Sequence, residues 1–180
     1  IAMELPLWGG FYAGSDGYYL VEGQNNTAED SSAEVIRVIR YDTNWNRNGA
    51  ASITSNPDLF GGEVRYPFDY GCVEMTETNG TLYIVTAHEG YVDPSVGQGH
   101  QGFLMIAVDQ ASMTGKIVRS DLWHSFAQYI KSNSSYLYVL EQSEGSRRTQ
   151  LSRYDSTTLE KKTIELLSYG GFPTPFLALP

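Results

Sequence analysis

The chain has 180 residues, with 12 basic and 21 acidic side chains and a formal net charge of -9. Its length allows one domain with a sizeable core, its charge opposes docking onto phosphate backbones or anionic lipid, and no apolar run approaches the ~20 residues that span a bilayer. Neither a nucleic-acid partner nor membrane insertion is expected. The 13 tyrosines and 18 glycines, together with the lack of a sustained apolar stripe at helical spacing, place the chain in the all-β class.

From the amino end, Trp8-Gly-Gly-Phe-Tyr-Ala13 and Tyr18-Tyr-Leu-Val21 flank Asp16-Gly17, a dipeptide suited to closing a hairpin. A polar loop from Glu22 to Ser32 precedes Val35-Ile-Arg-Val-Ile-Arg-Tyr41, which Asp42 ends, and Ala50-Ala-Ser-Ile53 reads as a short outer strand. A second unit opens at Cys72-Val-Glu-Met-Thr-Glu77, turns at Asn79-Gly80 and runs from Thr81 to Ala87. There Leu82 and Ile84 alternate with Tyr83 and Val85, the pattern of a strand covered on both faces. The Gly-rich stretch from Glu89 to Gly99 reads as a loop, Gly102 to Val108 as a third strand ended by Asp109, and Lys116-Ile-Val118 as a fourth. A third unit runs from Phe126 to Ile130, turns at Ser132-Asn-Ser134, and continues through Tyr136 to Leu140, Gln150 to Tyr154 with Asp155, and Lys162 to Leu166. The single cysteine, Cys72, excludes an intramolecular disulfide and reads as a buried small hydrophobe.

A tight hairpin, a third strand ended by aspartate and a short last strand thus recur three times, and four short antiparallel strands make one propeller blade. The sequence predicts an all-β chain forming a β-propeller segment of about three four-stranded blades, at 8–55, 68–120 and 124–167, with a further blade starting at 169–180. A closed propeller needs at least about four blades, so the ring is expected to be incomplete. The remainder of a larger chain or a second copy would close it. A start at Ile1 without an initiator Met or a leader fits a chain cut from a longer precursor. A β-sandwich, which uses short strands and Gly-rich turns without needing repeats, is the alternative.

The string from Gly80 to Tyr91, then Gly99-His100-Gln101, together with Arg40-Tyr-Asp-Thr-Asn-Trp-Asn46, resembles repeats of large secreted or cell-wall-attached β-propeller proteins of anaerobic Gram-positive bacteria. The resemblance covers about residues 8 to 166. It implies an extracellular or cell-surface setting and a binding or scaffolding role, and it supplies no catalytic residues to carry over.

His88 and His100 flank the Gly-rich stretch, where an antiparallel hairpin could bring them opposite one another, with Glu89 and Asp93 near enough to add an oxygen ligand. Two imidazoles without a defined third ligand more often brace a loop through hydrogen bonds, so no metal and no cofactor is expected. His124 beside Trp123 is the remaining histidine. Asp42-Thr-Asn-Trp-Asn46 imitates a calcium loop but carries Arg47 where the tight-turn glycine belongs and Ile53 where the bidentate glutamate belongs, so an Asx turn is the better reading. No Gly-x-Ser-x-Gly elbow, dinucleotide fingerprint or phosphate-binding loop is present.

Aromatic side chains are the stronger lead, because a ring at a strand end or in a loop offers a flat face to a sugar or a peptide. Trp45 and Tyr91 stand in polar stretches and Trp123 in a connection between units. The expected function is therefore an extracellular binding or scaffold module for a carbohydrate or protein, with His88, His100, Tyr91, Trp45 and Trp123 as candidate ligand contacts. The alternatives are a propeller enzyme acting on a polysaccharide or an anionic small molecule, with His88 and His100 at its site, and a purely structural repeat.

Overall fold

The computed structural model describes residues 1–55, 64–68, 73–93, 95, 97–122, 128–142 and 148–168. Cys72, Trp123, His124 and the further blade expected at 169–180 lie outside them. Through the described residues run thirteen β-strands and no helix, hence none long and apolar enough to cross a membrane.

The first sheet takes its strands in chain order: β1 (Leu7–Ala13), β2 (Tyr18–Gly23), β3 (Glu34–Tyr41) and β4 (Arg47–Thr54). The second is built from β5 (Tyr66–Pro67), β6 (Glu74–Thr78), β7 (Thr81–Asp93), β8 (Gln98–Asp109) and β9 (Thr114–Leu122), with β5 and β6 sharing one edge of β7. The third again runs in order through β10 (Tyr129–Ser132), β11 (Tyr136–Gln142), β12 (Arg148–Asp155) and β13 (Lys161–Ser168). All pairs are antiparallel, and none of the three sheets closes on itself.

Local chemistry sets these hairpins. Asn79 at φ 52° and Gly80 at φ 75° supply the two left-handed positions that a tight hairpin between right-twisted strands requires. At Gly17 an added Cβ would strike the Tyr41 carbonyl oxygen, so only glycine lets the β1–β2 turn lie against the end of β3.

The sheets stack face to face. Between the first and second, Val21, Ile36, Val38 and Ile53 meet Leu82, Ile84, Leu104 and Ile106 in one buried cluster. Between the second and third, Tyr83, Val85, Phe103 and Met105 meet Ile130, Leu137, Val139 and Tyr154 in another. The second sheet is therefore covered on both faces, and the alternation read in β7 sends Leu82 and Ile84 one way and Tyr83 and Val85 the other. Each such side chain, fully buried, contributes about 1.5–3 kcal/mol.

The stretch from Glu89 to Gly99 departs from the sequence reading. β7 continues to Asp93 and β8 begins at Gln98, with Glu89 opposite Gln101, Val92 opposite Gly99 and a bulge between them. Ladder hydrogen bonds are made by the backbone, so glycine and polar residues extend a strand pair that apolar alternation would have ended.

Candidate functional site

One turn occurs three times and fixes the most informative side chains. At the end of the third strand of each sheet, a carboxylate oxygen of Asp42, Asp109 or Asp155 accepts backbone N–H bonds from the turn that follows. Asn44 and Asn46 donate at 2.8 and 2.9 Å, Ser112 at 2.7 Å, and Thr157 and Thr158 at 2.9 Å each. These bonds hold all three carboxyls below their ordinary range, the side chain of Asn46 contributing most at Asp42. Each aspartate carbonyl then accepts the N–H of a residue with positive φ, namely Trp45 (63°), Met113 (52°) or Leu159 (56°), at 2.9 Å in every case. The Asp42 loop is thus an Asx turn closed by its own asparagines, Asn46 Nδ2 donating to the second carboxylate oxygen at 3.0 Å.

Met113 points back into the core between the first and second sheets, and Leu159 packs against the core between the second and third. Trp45 has the same backbone role and a different outcome. It lies on the outward face of the first sheet, stacked on Tyr18 with ring centroids 4.4 Å apart and on Phe11 at 6.2 Å. Beneath it Leu20, Ile39 and Tyr41 form a small buried cluster. Trp45, Phe11 and Trp8 remain 46, 48 and 53% exposed. Beside this aromatic platform the amino-terminal segment is strapped down. Glu22 Oε2 accepts the N–H groups of Glu4 and Leu5 at 2.7 and 2.9 Å, and Glu4 pairs with Arg47 and Arg37 at 2.6 and 3.1 Å.

The histidines lie elsewhere. His88 is fully buried inside β7, opposite Gly102 on β8, where a Cβ would collide with its ring. Neither ring nitrogen reaches a hydrogen-bond partner, and desolvation pushes its pKa down to about 4, only partly opposed by the neighbouring Glu89 backbone. Its register partner is Gly102 and not His100, so the two histidines do not sit directly across the ladder. His100 and Tyr91 belong to β8 and β7, but their side chains lie outside the described residues, as does Trp123 altogether. Among the described residues no group of three or more His, Cys, Asp or Glu side chains is placed to hold a metal ion.

A second polar centre lies between the second and third sheets. Glu141 is fully buried and accepts hydrogen bonds at Oε1 from Gln150 at 3.0 Å and Ser152 at 2.8 Å, while Oε2 has none. Burial raises its pKa to about 8 against the attraction of Lys161, whose Nζ stands 3.9 Å away. That contact lies beyond hydrogen-bond range and does not outweigh desolvation, so the carboxyl keeps its proton at neutral pH. Its signal in the sequence is the period-two continuation of Leu137 and Val139. The same two sheets also frame an open cavity of about 510 Å³ lined by Tyr83, Ala107, Lys116, Val118 and Leu159 among others.

Compared with known proteins, the chain matches no protein-family model and no curated protein.

Proposed function

We infer that the chain is a run of three consecutive propeller blades acting as a binding scaffold, with a protein as the partner of its aromatic face. Three antiparallel sheets stacked in chain order, two of four strands and a central one of five, with the same aspartate turn in each, support blades. A central sheet covered on both faces fits this better than a sandwich of two sheets.

The observation that carries the binding role is the stack of Trp45, Tyr18 and Phe11 on the outward face of the first sheet, with Trp45 and Phe11 about half exposed. Large aromatics with exposed faces are the usual anchors of protein contacts. The platform is backed by the Leu20–Ile39–Tyr41 cluster. Sugar sites combine a stacking ring with polar groups converging from a cleft, and the cavities described lie away from Trp45. An extracellular or cell-surface setting belongs to the same reading and rests on the resemblance to secreted propeller proteins. A reaction at His88 would require the β7–β8 ladder to open, because the ring offers no nitrogen to solvent.

A benzophenone amino acid in place of Phe11, irradiated in an extract of the source cells, tests the reading. Crosslinking to a polypeptide is the expected result. Retention of the native chain on a polysaccharide gel, abolished by Trp45→Ala, would overturn it in favour of a carbohydrate ligand.

A further inference from the structure

The inter-sheet contact is used twice inside the chain, and register shows its parts to be equivalent. Two positions before the closing aspartate, Arg40, Ala107 and Arg153 pair with Tyr19, Tyr83 and Tyr138 on one side and with Gly49, Lys116 and Lys162 on the other. In the first sheet this row receives the turn of the second. Gln110 Nε2 donates to Tyr19 Oη at 3.1 Å, Arg40 donates to the Gln110 carbonyl, and Met113 sits so close over Gly49 that an added Cβ would lie 2.6 Å from its Cγ. In the second sheet the row receives the turn of the third, Tyr83 Oη donating to the Ser156 carbonyl at 3.1 Å while Leu159 lines the cavity beside Lys116.

The third row, Tyr138, Arg153 and Lys162, faces away from the second sheet. Leu137, Val139 and Tyr154, which alternate with it, fill the core on the other side. Next to it Tyr136, Arg153, Asp155, Glu160 and Lys162 line an open hollow of about 90 Å³. Its natural occupant is a turn of the same kind, and among the described residues one such turn seats on no other sheet, that of Asp42 and Trp45. The chemistry matches, since a tryptophan face is the best partner for an arginine cation, and Arg153 already lies 4.3 Å from the centre of the Tyr136 ring.

We propose that the outward face of the first sheet docks on the outward face of the third sheet of a second copy, Trp45 seating on the Tyr138–Arg153–Lys162 row, so that two copies close one ring. The contact is head-to-tail, and such contacts either close or grow into open filaments. Two copies of the three described sheets would give six blades, within the range of about four to eight that propellers typically hold. The proposal names the partner of the aromatic face and rests on the propeller reading above. The strap of Glu4 and Leu5 crosses the face beside Arg37 and Arg47 and leaves the Trp45 side open.

Sedimentation velocity of the chain across the micromolar range tests it, with Trp45→Ala on one face and Arg153→Glu or the more exposed Lys162→Glu on the other, folding being checked by circular dichroism. The native chain is expected to run as a dimer of about 40 kDa, twice 20.0 kDa. Substitution on either face is expected to weaken the dimer by at least about tenfold. Three results would overturn the proposal: a monomer throughout, a dimer sensitive to Trp45→Ala alone, which signifies pairing of two identical first sheets, or growth beyond the dimer. A monomer whose Phe11 photoprobe still captures a different polypeptide overturns the ring while leaving the binding-scaffold reading in place.

Discussion

His88 and Glu141 pull stability in opposite directions as pH changes. The His88 pKa falls from the ordinary 6.5 to about 4 on folding, so below about 6.5 the unfolded chain takes up a proton that the folded chain refuses, and stability declines toward pH 4. Glu141 rises from 4.5 to about 8, so the folded chain keeps a proton that the unfolded chain releases. Its contribution is complete below about 4.5 and is lost as pH climbs toward 8. The two slopes offset one another between 4.5 and 6.5, leaving the Glu141 slope alone above that window. Urea unfolding should therefore show a loss on the order of 2 kcal/mol between pH 6.5 and 8. Glu141→Gln, which keeps the shape of the neutral acid, should flatten that limb, and an unchanged alkaline slope in the variant would show that another group carries it. The sequence reading ends this strand at Leu140 and misses Glu141, although its core-side position was accessible by continuing the alternation from Leu137. Its protonation was not, since that depends on Gln150, Ser152 and Lys161 arriving from two other strands.

At the scale of the element, the recurring aspartate turn joins sequence to packing. Asp42, Asp109 and Asp155 could be read directly as strand ends, because aspartate competes for turn N–H groups. The residue each turn projects could not. Trp, Met and Leu are poor candidates for positive φ, and the turn at Asp42 is one residue shorter than the other two, which hides the alignment of Trp45 with Met113 and Leu159. The long β7–β8 pair was hidden for a related reason, as Gly90, Gly99 and Gly102 weaken the apolar pattern without interrupting the ladder. A residue buried between sheets holds more than one exposed at the same turn position. Met113→Ala should cost about 2–4 kcal/mol in chemical denaturation, while Trp45→Ala measured on the monomer should cost under about 1 kcal/mol. Equal losses at the two positions would mean that Met113 does not act as a plug between sheets.

Across the whole molecule, stability is distributed unevenly because the two inter-sheet cores differ in size. Seventeen buried side chains join the first and second sheets, against eight between the second and third among the described residues. The last strand, β13, adds little to the smaller core, leaving Ile164, Leu166 and Leu167 exposed at 62, 50 and 47%. A stacked architecture opens at its weakest interface, since each sheet contacts only its neighbours. Glu141, the one buried carboxyl among the described residues with an unpartnered oxygen, lies at that interface. Amide hydrogen exchange followed by mass spectrometry in low urea should therefore find β7 and β8 exchanging last, at the rate of global unfolding. Strands β10 to β13 should exchange earlier as a group, and earlier still at pH 8, where Glu141 begins to ionise. Docking a second copy on the Tyr138–Arg153–Lys162 row would cover the third sheet on its outward face, so its protection should rise with protein concentration while that of β7 and β8 stays constant. Uniform exchange across all three sheets at every concentration would show instead that they unfold as one cooperative unit, with the polar centre at Glu141 no weaker than the apolar core opposite.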